Sequence, residues 1–127
     1  MQNRRTLATG IPSDITVTED LASNVNLSAV TFADADGDAL TVTLNASAGT
    51  FTASSGGSVT VGGSGTGTLT LAGTAANINT FLDTPANIKY TGASNANGNN
   101  AATLTINAND GTVNPQLGTV NIDITAV

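Results

Sequence analysis

Apolar and polar residues alternate with period two through most of this 127-residue chain. Leu40-Thr41-Val42-Thr43-Leu44 and Gly67-Thr68-Leu69-Thr70-Leu71 are the clearest runs, and each predicts a strand with one face buried. Ile15 and Val17 alternate with threonines as a first short strand, which Glu19-Asp20 ends. Val25 and Leu27 open a second strand that continues through Val30 and Phe32, with a bulge or bend where the apolar parity shifts. Phe51 and the pair Val59, Val61 predict two short hairpin strands between glycine-rich turns. Ile88-Lys89-Tyr90, Thr103-Leu104-Thr105-Ile106 and the stretch from Thr119 to Val127 complete the set. Lys89 is expected to point outward and Val120, Ile122 and Ile124 inward. One segment has a different period. Behind Thr74, a good N-cap, Ile78, Phe81 and Leu82 fall at i, i+3 and i+4, so a short helix is expected, stopped by Pro85.

Seven or more short strands separated by turn residues predict an all-β, two-sheet sandwich with one short helix. The length fits one domain with a core of its own. Residues 1–10 read as a linker or an added start, and 11–127 as the module, with Pro12 opening its ordered part. Met1-Gln2-Asn3-Arg4-Arg5 has no apolar stretch behind it and is not read as a signal peptide.

Composition narrows the chemistry. Aromatic residues make up 3% and charged residues 9%, so the core must be aliphatic, with Phe32, Phe51, Phe81 and Tyr90 its only large rings. Cysteine and histidine are absent, which excludes disulfides, thiol nucleophiles, zinc fingers and Ser-His-Asp triads. A formal net charge of −6 argues against nucleic acid and against anionic membrane surfaces. No apolar run is long enough to insert into a bilayer. Such a surface suits cations.

The acidic residues are unevenly placed. Asp34-Ala35-Asp36-Gly37-Asp38 holds a third of the nine, immediately ahead of the 40–44 strand. Carboxylates this close repel one another unless a cation lies between them, and hard oxygen ligands suit Ca²⁺. The alternative is a solvated turn, for which Asp and Gly are good residues. An EF-hand does not fit: Ala39 stands at the sixth position from Asp34 where glycine is needed, and Asn45 at the twelfth where glutamate is needed. Glu19-Asp20 closes the same site if the first strand ends at the pole of the acidic loop; otherwise it is a turn. Asp110, between Asn109 and Gly111, is a metal ligand or a hairpin turn. Asp14, Asp83 and Asp123 read as surface groups. The close-set aspartates lack the aromatic platforms that stack sugars in glycosidases, and the glycine-rich stretch from Gly56 to Gly67 has no phosphate-loop lysine. Lys89, the only lysine, is a poor isopeptide donor on a solvent face. No enzymatic activity is expected.

Taken in order, several motifs resemble bacterial cadherin-like repeats, the tandem β-sandwich modules of large surface adhesins. They are Pro12, Glu19-Asp20, the stretch from Phe32 to Val42, Gly67 to Asn79, and Asn109-Asp110-Gly111. The resemblance covers about Ile11 to Val127. It implies a Greek-key, cadherin/immunoglobulin-like β-sandwich in a secreted or cell-surface protein, outside the cell. It also implies Ca²⁺ at domain ends and neighbouring repeats of the same polypeptide as partners. By position it assigns the metal to Glu19, Asp20, Asp34, Asp36, Asp38 and Asp110. The cadherin linker Asp-x-Asn-Asp-x-x-Pro is absent from the C-terminal end. Two other readings stand beside the spacer: a carbohydrate- or surface-binding module with a cell-surface or glycan ligand, and an accessory domain of a secreted hydrolase.

Overall fold

The computed structural model describes residues 6–34, 39–56, 58–111 and 116–126. Among these residues are eleven strands, one α-helix and one 3₁₀ turn. They are β1 (Thr6–Thr9), β2 (Asp14–Thr18), β3 (Ser23–Asn24), β4 (Thr31–Asp34), β5 (Ala39–Ala46), β6 (Thr50–Ala53), β7 (Thr60–Gly62), β8 (Thr68–Thr74), α1 (Ala75–Leu82), the turn Pro85–Asn87, β9 (Ile88–Thr91), β10 (Gly98–Asn109) and β11 (Gln116–Thr125). A six-stranded sheet has the order β2-β11-β10-β5-β8-β7, a three-stranded sheet the order β3-β9-β6, and β1 pairs with β4. All pairings are antiparallel except β2 with β11, which run parallel.

The period-two pattern explains the core. Leu40, Val42 and Leu44 of β5, Leu69 and Leu71 of β8, and Leu104 and Ile106 of β10 are buried. So are Val120, Ile122 and Ile124 of β11, and they meet Phe51, Ile88 and Tyr90 of the smaller sheet in one cluster. This is the all-β sandwich with a single short helix that the alternation predicts. The helix forms as expected. The Thr74 hydroxyl accepts from the Asn77 N–H, and Ile78, Phe81 and Leu82 are the buried face. The helix has ended before Pro85, which starts the 3₁₀ turn.

Three local readings change. Val25 to Phe32 is not one strand. The Asn26 side-chain oxygen accepts from both the N–H and the hydroxyl of Ser28, and Val30 N–H reaches back to Leu27 O. This local bonding competes with the ladder and folds the chain into turns, with Val25, Leu27 and Val30 still buried. The strands at Phe51 and Val61 do not form a hairpin with each other. Phe51 instead exchanges main-chain bonds with Gly65 and Thr66, while Val61 pairs with Leu71 in the other sheet. Within the segment expected as a lead-in, Thr6–Thr9 pairs with β4 in register from Thr6↔Asp34 to Thr9↔Thr31.

Asn79 fastens the helix to β4. Its Oδ1 accepts from Phe32 N–H at 2.8 Å and its Nδ2 donates to Phe32 O at 3.0 Å. One side-chain amide thus does for β4 what a neighbouring strand would do. No helix among the described residues is long and apolar enough to cross a membrane.

Candidate functional site

The expected ligands among the described residues divide between the two ends of the sandwich. At one end β4 finishes at Asp34 and β5 begins at Ala39. Ala35, Asp36, Gly37 and Asp38, two of the expected ligands among them, lie outside the described residues. Register brings Asp110 to this same end, because Thr41 near the start of β5 pairs with Asn109 at the finish of β10. Asp110 is the one buried charged residue among those described, at 5% exposure, whereas Asp34 is half-buried. Burying a carboxylate is costly unless it is satisfied, and both Asp34 and Asp110 are engaged by neighbours. The turn after Asp110 is held by Asn109, whose Oδ1 accepts from Gly111 N–H at 2.7 Å.

Glu19 and Asp20 sit at the opposite end. Glu19 N–H donates to Thr125 O at the close of β11, where Ile124 pairs with Gly98 at the start of β10. Glu19 is itself engaged. The length of β10 separates the two groups by on the order of 30 Å at about 3.3 Å per residue. The pair does not close the site of Asp34, because β2 runs parallel to β11 and therefore ends where β11 ends.

Asp20 has a structural task in addition. It adopts φ +58°, a left-handed conformation that Asp tolerates. From there its Oδ1 accepts from Asn95 N–H at 3.2 Å, tying the turn after β2 to the loop ahead of β10. Asp123, expected as a plain surface group, accepts from Asn100 N–H at 2.8 Å. No sequence signal marks these two contacts, which span 75 and 23 positions and end on asparagines in left-handed conformations.

No family model matches this chain, and no curated protein or solved structure does.

The remaining surface offers open clefts. One of about 320 Å³ is lined by Thr52, Ser54, Ser64, Asn87 and Lys89. Lys89 Nζ donates to Asn24 Oδ1 at 2.6 Å, across the register pair that joins β3 to β9. Among the described residues no three Asp or Glu side chains gather into a group that could hold a metal ion. Asp34 and Asp110 contribute oxygens from one end; Glu19 and Asp20 from the other. Chemically these four side chains are carboxyl groups, hard oxygen acceptors when ionised.

Proposed function

We propose that this chain is a calcium-stabilised, non-enzymatic repeat module of a large bacterial surface or secreted adhesin, working outside the cell as a spacer or in adhesion. One observation carries the reading: the chain's path and its acidic groups share an axis. β1 starts beside Asp34 at one pole, and β11 finishes beside Glu19 at the other. Modules built this way can be strung end to end, with carboxylates meeting at each junction. Among the described residues, Asp34 and Asp110 supply one side of a junction, and Glu19 and Asp20 the other. Neighbouring repeats are then the natural partners. A second reading, a glycan-binding module, rests on the hydroxyl-lined cleft beside Lys89. A glycan array with and without Ca²⁺ separates the two.

A ligand that binds only the folded state stabilises it by RT ln(1 + [L]/Kd), roughly 1.4–2.7 kcal/mol per site at ten- to hundredfold excess. Extracellular modules bind with Kd values of about 10⁻⁴–10⁻³ M, so millimolar Ca²⁺ is roughly a one- to tenfold excess and contributes about 0.4–1.4 kcal/mol per site. The melting temperature should rise by roughly 2–6 °C per occupied site from chelator to millimolar Ca²⁺, taking about 4 °C per kcal/mol for a domain of this size. In Asp36→Ala with Asp110→Asn the rise should shrink or vanish. Identical melting curves with Ca²⁺ and with chelator would sink the proposal.

A further inference from the structure

Asn97-Gly98 is the one Asn-Gly pair in the sequence. Such a pair can react without an enzyme. The glycine main-chain nitrogen attacks Cγ of the asparagine, the bond from Cγ to the amide nitrogen breaks, and ammonia leaves. Water then opens the resulting succinimide to aspartate or isoaspartate. The net change is hydrolysis of one side-chain amide, with no oxidant or reductant involved. Ring closure needs an accessible side chain, a following residue without bulk, and slack in the backbone.

All three conditions meet at this position. Asn97 and Gly98 are both exposed, and nothing lies within 4 Å of where a Cβ on Gly98 would stand. Gly98 has φ +117°. Its pairing with Ile124 is set apart from the next, Ala102 with Ile122, by a shift in register. Asn97 Nδ2 donates only a long bond, 3.3 Å, to Asn95 O. Asp110-Gly111 could close the same ring, and there the fold opposes it. Asp110 is buried, and Gly111 N–H is already given to Asn109 Oδ1.

We propose that Asn97 is a self-modification site, converting spontaneously to a carboxylate that makes the chain one unit more negative than its formal −6. The isoaspartyl product also adds a methylene to the main chain just ahead of β10. The new charge falls between Asn95, in the loop that Asp20 holds, and Asn100, near the start of β10, which Asp123 holds, and it repels both carboxylates. The modified loop is therefore looser at the pole of Glu19.

The test is to hold the purified protein in warm, mildly alkaline buffer, followed by ion exchange, peptide mapping and enzymatic labelling of isoaspartate. An acidic species should accumulate, with the Asn97 peptide one mass unit heavier and labelled, and this residue should convert several-fold faster than any other asparagine. Asn97→Gln should stop its formation without changing the melting curve, and Asp110 should stay unlabelled. A chain that forms no acidic species, or gains its mass elsewhere, overturns the proposal. So does conversion of Asn97 that is far slower in the folded protein than in the same chain unfolded in urea.

Discussion

Replacing Asn79 by alanine removes both bonds that tie α1 to β4 and leaves Phe32, 2% exposed, with an unmatched N–H and C=O. An unsatisfied buried main-chain group costs about 1–3 kcal/mol. Asn79 is itself only half-buried, so water can reach part of the gap. The expected loss is about 2–4 kcal/mol, a large share of the roughly 5–15 kcal/mol that holds a domain folded. The chain has no tryptophan and one tyrosine, so urea unfolding is best followed by far-UV circular dichroism. With a slope of about 1–3 kcal/mol per molar urea, the midpoint should fall by roughly 1–2 M at unchanged slope. Asn79→Asp sharpens the test. It keeps an acceptor for Phe32 N–H but turns an oxygen toward Phe32 O. At neutral pH it should be about as unstable as the alanine variant, and it should recover in part in acid, where a protonated carboxyl can donate. A midpoint for Asn79→Ala within about 0.5 kcal/mol of the parent would refute the reasoning, since that is the scatter of ordinary surface substitutions.

Gly49 has φ +81°, and a Cβ there would meet the Tyr90 hydroxyl and, at 2.6 Å, Thr91 O. Gly49→Ala should cost about 2–4 kcal/mol, from left-handed strain and the displaced tyrosine; calorimetric melting checks it. Tyr90 donates its hydroxyl to Ala48 O, and Tyr90→Phe should lose about 1–2 kcal/mol near neutral pH. Burial pushes the Tyr90 phenol above its ordinary 10.0. The stability it confers is therefore complete below that value and is lost as pH rises toward the folded value, because the unfolded chain releases the proton first. The loss should approach about 1.4 kcal/mol per pH unit, and urea midpoints across this alkaline range should fall less steeply for Tyr90→Phe.

Much of the fold was legible because its longest strands are amphipathic. Leu40 to Leu44 and Leu69 to Leu71 announce their inward faces, and the helix behind Thr74 carries both a cap and an apolar stripe. What escaped was decided at long range or by side chains bonding to main chain. Thr6–Thr9 has too weak a pattern to read alone; its partner lies some 25 residues away in β4. The turn at Asn26 and Ser28 overrides an apolar series that looks like a strand. The reach from Asn79 to Phe32 spans 47 positions, and an asparagine beside Ile78 gives no hint of it. The acidic residues could be found by type, but their sorting into two poles follows from strand direction, which composition does not encode.

The parallel pairing of β2 with β11 bears on tension. β2 descends from the pole where β1 begins, and β11 leaves at the other, so a pull along the module draws the two strands past each other lengthwise. The rungs from Asp14↔Asn121 to Thr18↔Thr125 then share the load in shear and must yield together instead of opening one by one like a zipper. Mechanical strength would then reside in the rungs between β2 and β11, not in the core that makes the fold stable at rest.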